Sequence, residues 1–277
     1  MLTLGNRGRG FESLSLRQIN KMNLNFKTSL AKNYKSPSQI IRILTEDWVN
    51  NNAYCPNCGN ITLSESRNNK PVSDFICPDC KEVYELKSKK DKFGKKIVNG
   101  AYSTMIERLL DNNNPNFFLL NYDSLNLKVL NLFVIPKHFF IPEIIEKRKA
   151  LSQTARRAGW IGCNILLESI PNTGKIFFIR NCRAESKDRV LSEWKRTLFL
   201  KEEKVTSAKG WLLDIMKCIE KLDDKTFTLD NIYAFENILQ KKHPDNKHIK
   251  DKIRQQLQIL RDKGYIKFVR RGHYQVV

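Results

Sequence analysis

The chain has 277 residues, 41% of them hydrophobic and 10% aromatic, which is enough to build a buried core in one large or two small domains and excludes an intrinsically disordered protein. Its 49 Lys and Arg residues against 29 Asp and Glu residues give a formal net charge of +20, so a polyanion, and nucleic acid first of all, is the expected partner. The sequence contains no apolar run of about 20 residues that could span a membrane, no GxxxxGK phosphate loop and no Gly-rich dinucleotide motif.

The N-terminal part of the chain divides into two segments. Residues 1–21 are basic and contain Gly and Ser but lack the apolar stretch of a secretion signal, and we interpret them as a non-native or disordered extension with the native start at Met22. From Ser36 to Asn50, apolar residues recur at helical spacing behind a Ser-Pro pair, which predicts a helix. We interpret Glu46 on this helix as a solvated or salt-bridged carboxylate in preference to a metal ligand.

Four cysteines follow in two pairs of the pattern Cys-Pro-x-Cys, Cys55 with Cys58 and Cys77 with Cys80. Each pair can form a tight knuckle that presents two thiolates, and four sulfur ligands are typical of a closed, structural Zn2+ site. Paired disulfides and a redox-active CxxC are the alternatives. We favour zinc, in a reducing cytoplasm, because the sequence carries no secretion signal.

The stretch from Pro71 to Lys87 is predicted to form two short strands joined by the second cysteine turn. Side chains alternate along a strand, so Glu85 and Lys87 share one face, and antiparallel pairing brings Asp74 close to Glu85. Two carboxylates can hold Mg2+ through oxygen, while the lysine orients a water molecule or offsets negative charge. This arrangement suits phosphodiester hydrolysis, although such a trio also arises by chance as surface charge in a highly charged chain.

The following region alternates between helical and extended patterns. Residues 100–110 are predicted to form a helix, and three apolar segments read as buried strands at 116–122, 128–135 and 175–179. The pattern favours an α/β domain in which helices flank a mixed sheet.

Between the last two predicted strands lies a Gly-flanked segment with two guanidinium groups and an indole, at Arg156, Arg157 and Trp160. Arginines can hold phosphates or base edges, and an indole can pack on a base or its methyl group, so we predict a DNA-contacting loop. A tryptophan in the core is the alternative.

Residues 201–209 are charged and poor in apolar side chains, which predicts a linker to a second domain. The sequence predicts helices at 211–222 and 248–263 and, between them, a short strand at 227–229 that runs into a helix capped by Thr228 or Asp230. With two strands around Arg271-Gly272 as the wing, this is the order of a winged helix. The helix at 248–263 is basic, and its polar side chains, together with the wing arginines, are predicted to contact DNA: Lys250, Arg254, Gln255, Gln258, Arg270 and Arg271.

Several segments, among them ILTEDW, YCPNCG, PVSDF, YELKSKK, DNNNPNFF, TARRAGWIGCNI and HIKDKIRQQLQILRDK, resemble those of the DpnI-type methyl-directed type II restriction endonucleases. The likeness runs from about Met22 to the C-terminus. It implies a mixed-sheet PD-(D/E)xK nuclease core over residues 22–204, with an inserted four-cysteine zinc site, and a small α+β winged-helix domain over residues 205–277. One departure is local, because Pro71 is separated from Asp74 by two residues.

By this resemblance Asp74, Glu85 and Lys87 are the catalytic residues, with Mg2+ on the two carboxylates and Zn2+ on the four cysteines. The implied activity is Mg2+-dependent cleavage of double-stranded DNA at GATC sites that carry N6-methyladenine, by a monomeric cytoplasmic enzyme. Two other functions fit the same residues: a non-catalytic zinc-ribbon and winged-helix regulator, and a nuclease of broader specificity such as a repair enzyme.

Overall fold

A computed structural model describes residues 22–65 and 73–277. The predicted extension at residues 1–21, and Pro71 of the predicted hairpin, lie outside the described residues. Within the described ranges, every helix is too short or too polar to cross a membrane.

The described elements are eight helices and thirteen strands. The helices are α1 (Pro37–Asn52), α2 (Tyr102–Leu110), α3 (Lys187–Thr197), α4 (Phe199–Glu202), α5 (Thr206–Lys221), α6 (Leu229–Tyr233), α7 (Glu236–Lys242) and α8 (Ile249–Asp262). The strands are β1 (Ser64–Glu65), β2 (Phe75–Ile76), β3 (Val83–Lys90), β4 (Lys96–Ala101), β5 (Asn116–Asp123), β6 (Lys128–Ile135), β7 (Ile145–Lys147), β8 (Gly162–Leu166), β9 (Ile176–Arg180), β10 (Arg183–Ala184), β11 (Thr226–Thr228), β12 (Ile266–Arg270) and β13 (His273–Val276).

A seven-stranded sheet in the order β1-β2-β3-β5-β6-β9-β10 forms the centre of the N-terminal unit. The pair β3 and β5 is parallel and the other pairs are antiparallel, so the sheet is mixed, as predicted. Phe118 and Leu120 of β5 face a core that includes Trp48 of α1 and Trp194 of α3, while Phe117 and Leu119 face the other core. Because β5 is buried on both faces, its sequence is continuously apolar.

A second sheet of three antiparallel strands, in the order β4-β8-β7, was not predicted. Strand β4 alternates between exposed and half-buried residues, and its flanks are charged, so its sequence resembles a surface loop. The helix predicted over residues 100–110 is present but begins at Tyr102, directly after this strand.

The C-terminal unit has the predicted winged-helix order. Helices α5 to α8 pack with a three-stranded sheet, β11-β13-β12, in which β12 and β13 are joined by a turn at Gly272 with a φ of 71°. Such a positive φ favours glycine. Helix α6 begins in a capping box between Thr228 and Asn231. The fold class predicted from the sequence is therefore confirmed.

The predicted linker at residues 201–209 is longer than the one observed. Helix α5 begins at Thr206 and Lys209 is buried in it, so only residues 203–205 separate α4 from α5. One apolar cluster extends from Phe117 of the main sheet to Ile253 of α8. The apolar residues of α5 take part in this cluster, and Lys209 at the end of its first turn is buried with them.

Candidate active site and metal centre

The four predicted zinc ligands lie together. The ligand sulfurs of Cys55, Cys58, Cys77 and Cys80 are all within 4.8 Å of one another. The Cys55 and Cys80 sulfurs are 3.4 Å apart, and those of Cys58 and Cys77 are 3.5 Å apart. A tetrahedral ion with Zn–S bonds of about 2.3 Å requires sulfurs somewhat under 4 Å apart, so the donor set fits a metal such as Zn2+. The alternative of paired disulfides is not observed, since all four thiols are free.

The two cysteine turns have the same local geometry. The amide of Gly59 donates to the carbonyl of Cys55, and the amide of Lys81 donates to that of Cys77, at 2.8 and 3.1 Å. The residue after each second cysteine has a positive φ, 80° at Gly59 and 61° at Lys81. These turns direct both thiols of a pair to the same point, which is the knuckle that the spacing predicted.

The hairpin predicted around Asp74 and Glu85 is formed. Strand β2 pairs antiparallel with β3, with Phe75 opposite Tyr84, and the Asp74 amide donates to the Tyr84 carbonyl at 2.9 Å. The Asp74 carboxylate accepts a hydrogen bond from the Leu86 amide at 2.6 Å. Asp74 is therefore fixed beside Glu85, and the cysteine turn closes the hairpin that carries both.

Glu85 and Lys87 project from one face of β3 and form an ion pair. Burial raises the pKa of Glu85 and the charge of Asp74 adds to this effect, whereas Lys87 and Arg108 act in the opposite direction. The second carboxylate oxygen of Glu85 is buried without a hydrogen-bond partner among the described residues. Buried acceptors normally have a partner, so this oxygen, beside the Asp74 carboxylate, fits a divalent cation.

Two further charged side chains, Arg108 and Glu46, lie near this trio and were not predicted to belong to the site. Arg108 of α2 acts electrostatically on Glu85. Glu46 of α1 forms a 2.7 Å ion pair with Arg42, as expected, but the charges of Asp74 and Glu65 also act on it, so it lies near the hairpin carboxylates. The sequence carries no signal for this proximity because α1 and α2 reach β3 only through tertiary packing.

The loop between β7 and β8 exposes Arg156 and Arg157 and leaves Trp160 half-buried. The Arg157 guanidinium lies over the Trp160 ring at 4.6 Å from its centroid. A side chain at Gly162 would come within 2.8 Å of that ring, so the indole rests on Gly162. The three residues are brought together on the surface, and the tryptophan is not a core residue.

On α8 the predicted DNA-contacting residues are exposed, while Ile253, Leu257 and Leu260 are buried. Two of these exposed side chains also contact neighbouring residues of the same unit. Arg254 donates to the Tyr233 hydroxyl at 2.9 Å, and the Lys250 ammonium lies 3.5 Å from the Glu236 carboxylate. The outward-facing set on the helix is Lys250, Arg254, Gln255 and Gln258, and Arg270 and Arg271 are exposed at the end of β12 and in the turn that follows.

Two family models match the chain. Residues 22–203 match the model described as the Dam-replacing family, DpnI, and residues 207–276 match the one described as the Dam-replacing HTH domain. The first match alone covers more than half of the chain, and both follow the order of the two units seen in the fold. The resemblance drawn from the sequence is thus confirmed, and the chain belongs to the Dam-replacing family.

Proposed function

We propose that this protein is a methylation-dependent type II restriction endonuclease that hydrolyses double-stranded DNA with Mg2+. The proposal is carried by one observation: Asp74, Glu85 and Lys87 meet on a hairpin closed by a four-cysteine cluster, in a member of the Dam-replacing family. The net charge of +20 and the HTH match supply the expected affinity for DNA.

In the proposed mechanism, Asp74 and Glu85 would hold Mg2+, which when bound would polarise the scissile phosphate. The Leu86 amide keeps Asp74 oriented, so the two carboxylates are preorganised. Lys87 then orients the attacking water or offsets the negative charge that develops in the transition state. Zn2+ on the four cysteines would hold the hairpin closed, and takes no part in the chemistry because all four ligands are protein sulfurs.

We propose residues 22–204 as the nuclease domain and residues 205–277 as the winged-helix DNA-binding domain. The DNA contacts proposed for them are Arg156, Arg157 and Trp160 in the first, and Lys250, Arg254, Gln255, Gln258, Arg270 and Arg271 in the second. The preference for N6-methyladenine in GATC rests on the resemblance to DpnI-type enzymes, as do a monomeric state and a cytoplasmic location.

The non-catalytic regulator is disfavoured by the buried carboxylate of Glu85 next to Asp74. A DNA-binding regulator has no use for a buried carboxylate next to a second carboxylate. If Glu85 were only surface charge, it would be solvated and not buried. The match to the DpnI, Dam-replacing family model also supports a restriction enzyme over a regulator.

The catalytic assignment predicts that Asp74→Ala, Glu85→Ala and Lys87→Ala each lower Mg2+-dependent cleavage of methylated plasmid by about 100-fold or more. Duplex binding should change little, because the three residues are not groove contacts. Nicking assays and binding titrations on the full chain measure both quantities, with Glu146→Ala on the second sheet as the matched control. Retained cleavage in Asp74→Ala or Glu85→Ala would sink the assignment.

A further inference from the structure

A cavity of about 400 Å³ lies where residues 201–206 pass the short helical turn at residues 137–139. Its wall contains one acidic side chain, Glu203, and four basic ones, at Lys137, Lys201, Lys204 and Lys209. None of the residues proposed for catalysis, zinc binding or DNA contact belongs to it. The cavity is therefore a positively charged site that the proposed function does not use.

Lys209 is the most deeply buried of the four lysines in this wall. It is only 8% exposed, and among the described residues its ammonium has no hydrogen bond and no ion pair. Burial lowers its pKa, and the charge of Glu203 acts against that effect. Lys137 and Lys201 differ, since both pair with Glu82, at 2.9 and 3.3 Å. The Lys209 ammonium therefore opens on the cavity without a partner among the described residues, which favours an anion there.

The start of α5 opens on the same cavity. This helix has 16 residues, no acidic residue in its first turn and no side chain that caps its amides. Thr206, its first residue, lines the cavity. The amides at a helix start lack partners and carry a partial positive charge, and they commonly bind phosphate. The Glu203 carboxylate accepts from the Val205 amide at 2.9 Å, which lies before the first turn and leaves the later amides uncapped.

We propose that this cavity binds a phosphate group, held by the ammonium of Lys209 and the amides that begin α5. The volume suits one phosphate group with the sugar or nucleoside attached to it. The phosphate is either a free ion or nucleotide or one phosphate of a DNA backbone. The proposal does not depend on whether the protein cleaves DNA.

The test compares wild type with Lys209→Met and Lys209→Arg in the full chain. Inorganic phosphate is titrated by calorimetry at constant ionic strength, and the slope of duplex affinity against salt is measured in parallel. Lys175→Met is the matched control, because Lys175 is also a partly buried lysine with a lowered pKa but lines other cavities. Unfolding midpoints of all variants exclude loss of the fold as a cause.

If the site takes free phosphate, Lys209→Met should weaken phosphate binding by about tenfold while Lys209→Arg and Lys175→Met retain it. If the site takes a backbone phosphate, free phosphate gives no heat, and the duplex salt slope falls by about one in Lys209→Met alone. Phosphate binding and a salt slope that are the same in wild type and Lys209→Met would overturn the proposal. None of these readouts requires cleavage, so failure here is distinct from failure of the proposed nuclease activity.

Discussion

The imidazole of His138 is buried and packs against Phe139, Trp194 and Thr197. Burial lowers its pKa to about 3, and the nearby charge of Lys209 acts in the same direction. The Thr197 hydroxyl donates to the Trp194 carbonyl, so its oxygen accepts from the imidazole. The folded protein thus holds His138 neutral with its proton on Nε2.

This environment predicts a pH dependence of stability. The unfolded chain takes up a proton on His138 near pH 6.5, whereas the folded chain does not until about pH 3, so the unfolding free energy falls as the pH drops below 6.5. Between pH 7 and pH 5 the loss from this group is about 2 kcal/mol. Urea denaturation should show a shallower loss in His138→Gln, which keeps a donor for Thr197. The exposed His248→Gln serves as control, and equal pH slopes in wild type and His138→Gln would contradict the assignment.

Gly162 matters at the residue scale because the indole of Trp160 lies against it. A methyl group at this position would meet ring carbons at 2.8 Å, closer than real Cβ contacts, so Gly162→Ala must displace the ring. If Trp160 reads a methyl group, displacing it removes about 0.8 kcal/mol per methyl, a preference of about fourfold.

We therefore predict that Gly162→Ala and Trp160→Ala both reduce the ratio of affinities for methylated and unmethylated duplex, by about fourfold to fifteenfold. The measurement is a binding titration of both duplexes at one fixed salt concentration, because phosphate contacts respond to salt equally on each. Gln153→Ala, an exposed position in the same loop, controls for changes in the loop alone. An unchanged ratio in both variants would remove the loop from methyl recognition.

At the scale of elements, the four-cysteine turn and the hairpin proposed to be catalytic are one structure. Strand β2 has only two residues and pairs with the eight-residue β3, so few hydrogen bonds hold Asp74 beside Glu85 without the cysteine turn. A structural Zn2+ site supplies about 10–16 kcal/mol of binding free energy that is also folding free energy.

We predict that Cys58→Ser, or removal of zinc with a chelator, abolishes cleavage by releasing this hairpin. Hydrogen exchange over residues 74–87 should become fast while the winged-helix unit stays protected, and Mg2+ alone should not restore activity. Cys182→Ser, which changes an exposed cysteine outside the cluster, is the control. Full activity in zinc-free protein supplied with Mg2+ would show that the cysteines have another role.

The sequence predicts those elements whose buried residues follow a regular pattern along the chain itself. Strands β5 and β6 are continuous apolar runs, and the hairpin trio follows from alternation along β3, so both were found. Strand β4 was missed because it pairs with β8 some 60 residues away and buries little of its surface. Helix α3 was not foreseen because its only buried residues are Val190, Trp194 and Thr197 among charged neighbours. The positions of Glu46 and Arg108 near the trio depend on tertiary packing, which no local pattern records.

At the scale of the whole molecule, methyl discrimination sets a requirement on the number of reading surfaces. One surface that reads both methyl groups of a palindromic site gains about 1.6 kcal/mol, or about fifteenfold, and two such surfaces reach about 3 kcal/mol, on the order of two hundredfold if they add. The β7 to β8 loop and the α8 face are the two candidates. The loop and the α8 face belong to different units, which share one apolar cluster. Only residues 203–205 lie between α4 of the first unit and α5 of the second.

The central claim is that the protein cleaves DNA only when the DNA carries methylated adenine. The most direct measurement is digestion of one plasmid, prepared from an adenine-methylating host and from a non-methylating host, by the purified full-length protein with Mg2+, followed by mapping of the fragment ends. We predict discrete fragments that end at GATC sites from the methylated plasmid and intact DNA from the unmethylated one. Equal cleavage of both plasmids, or no cleavage of either with Mg2+ and zinc present, would contradict the account.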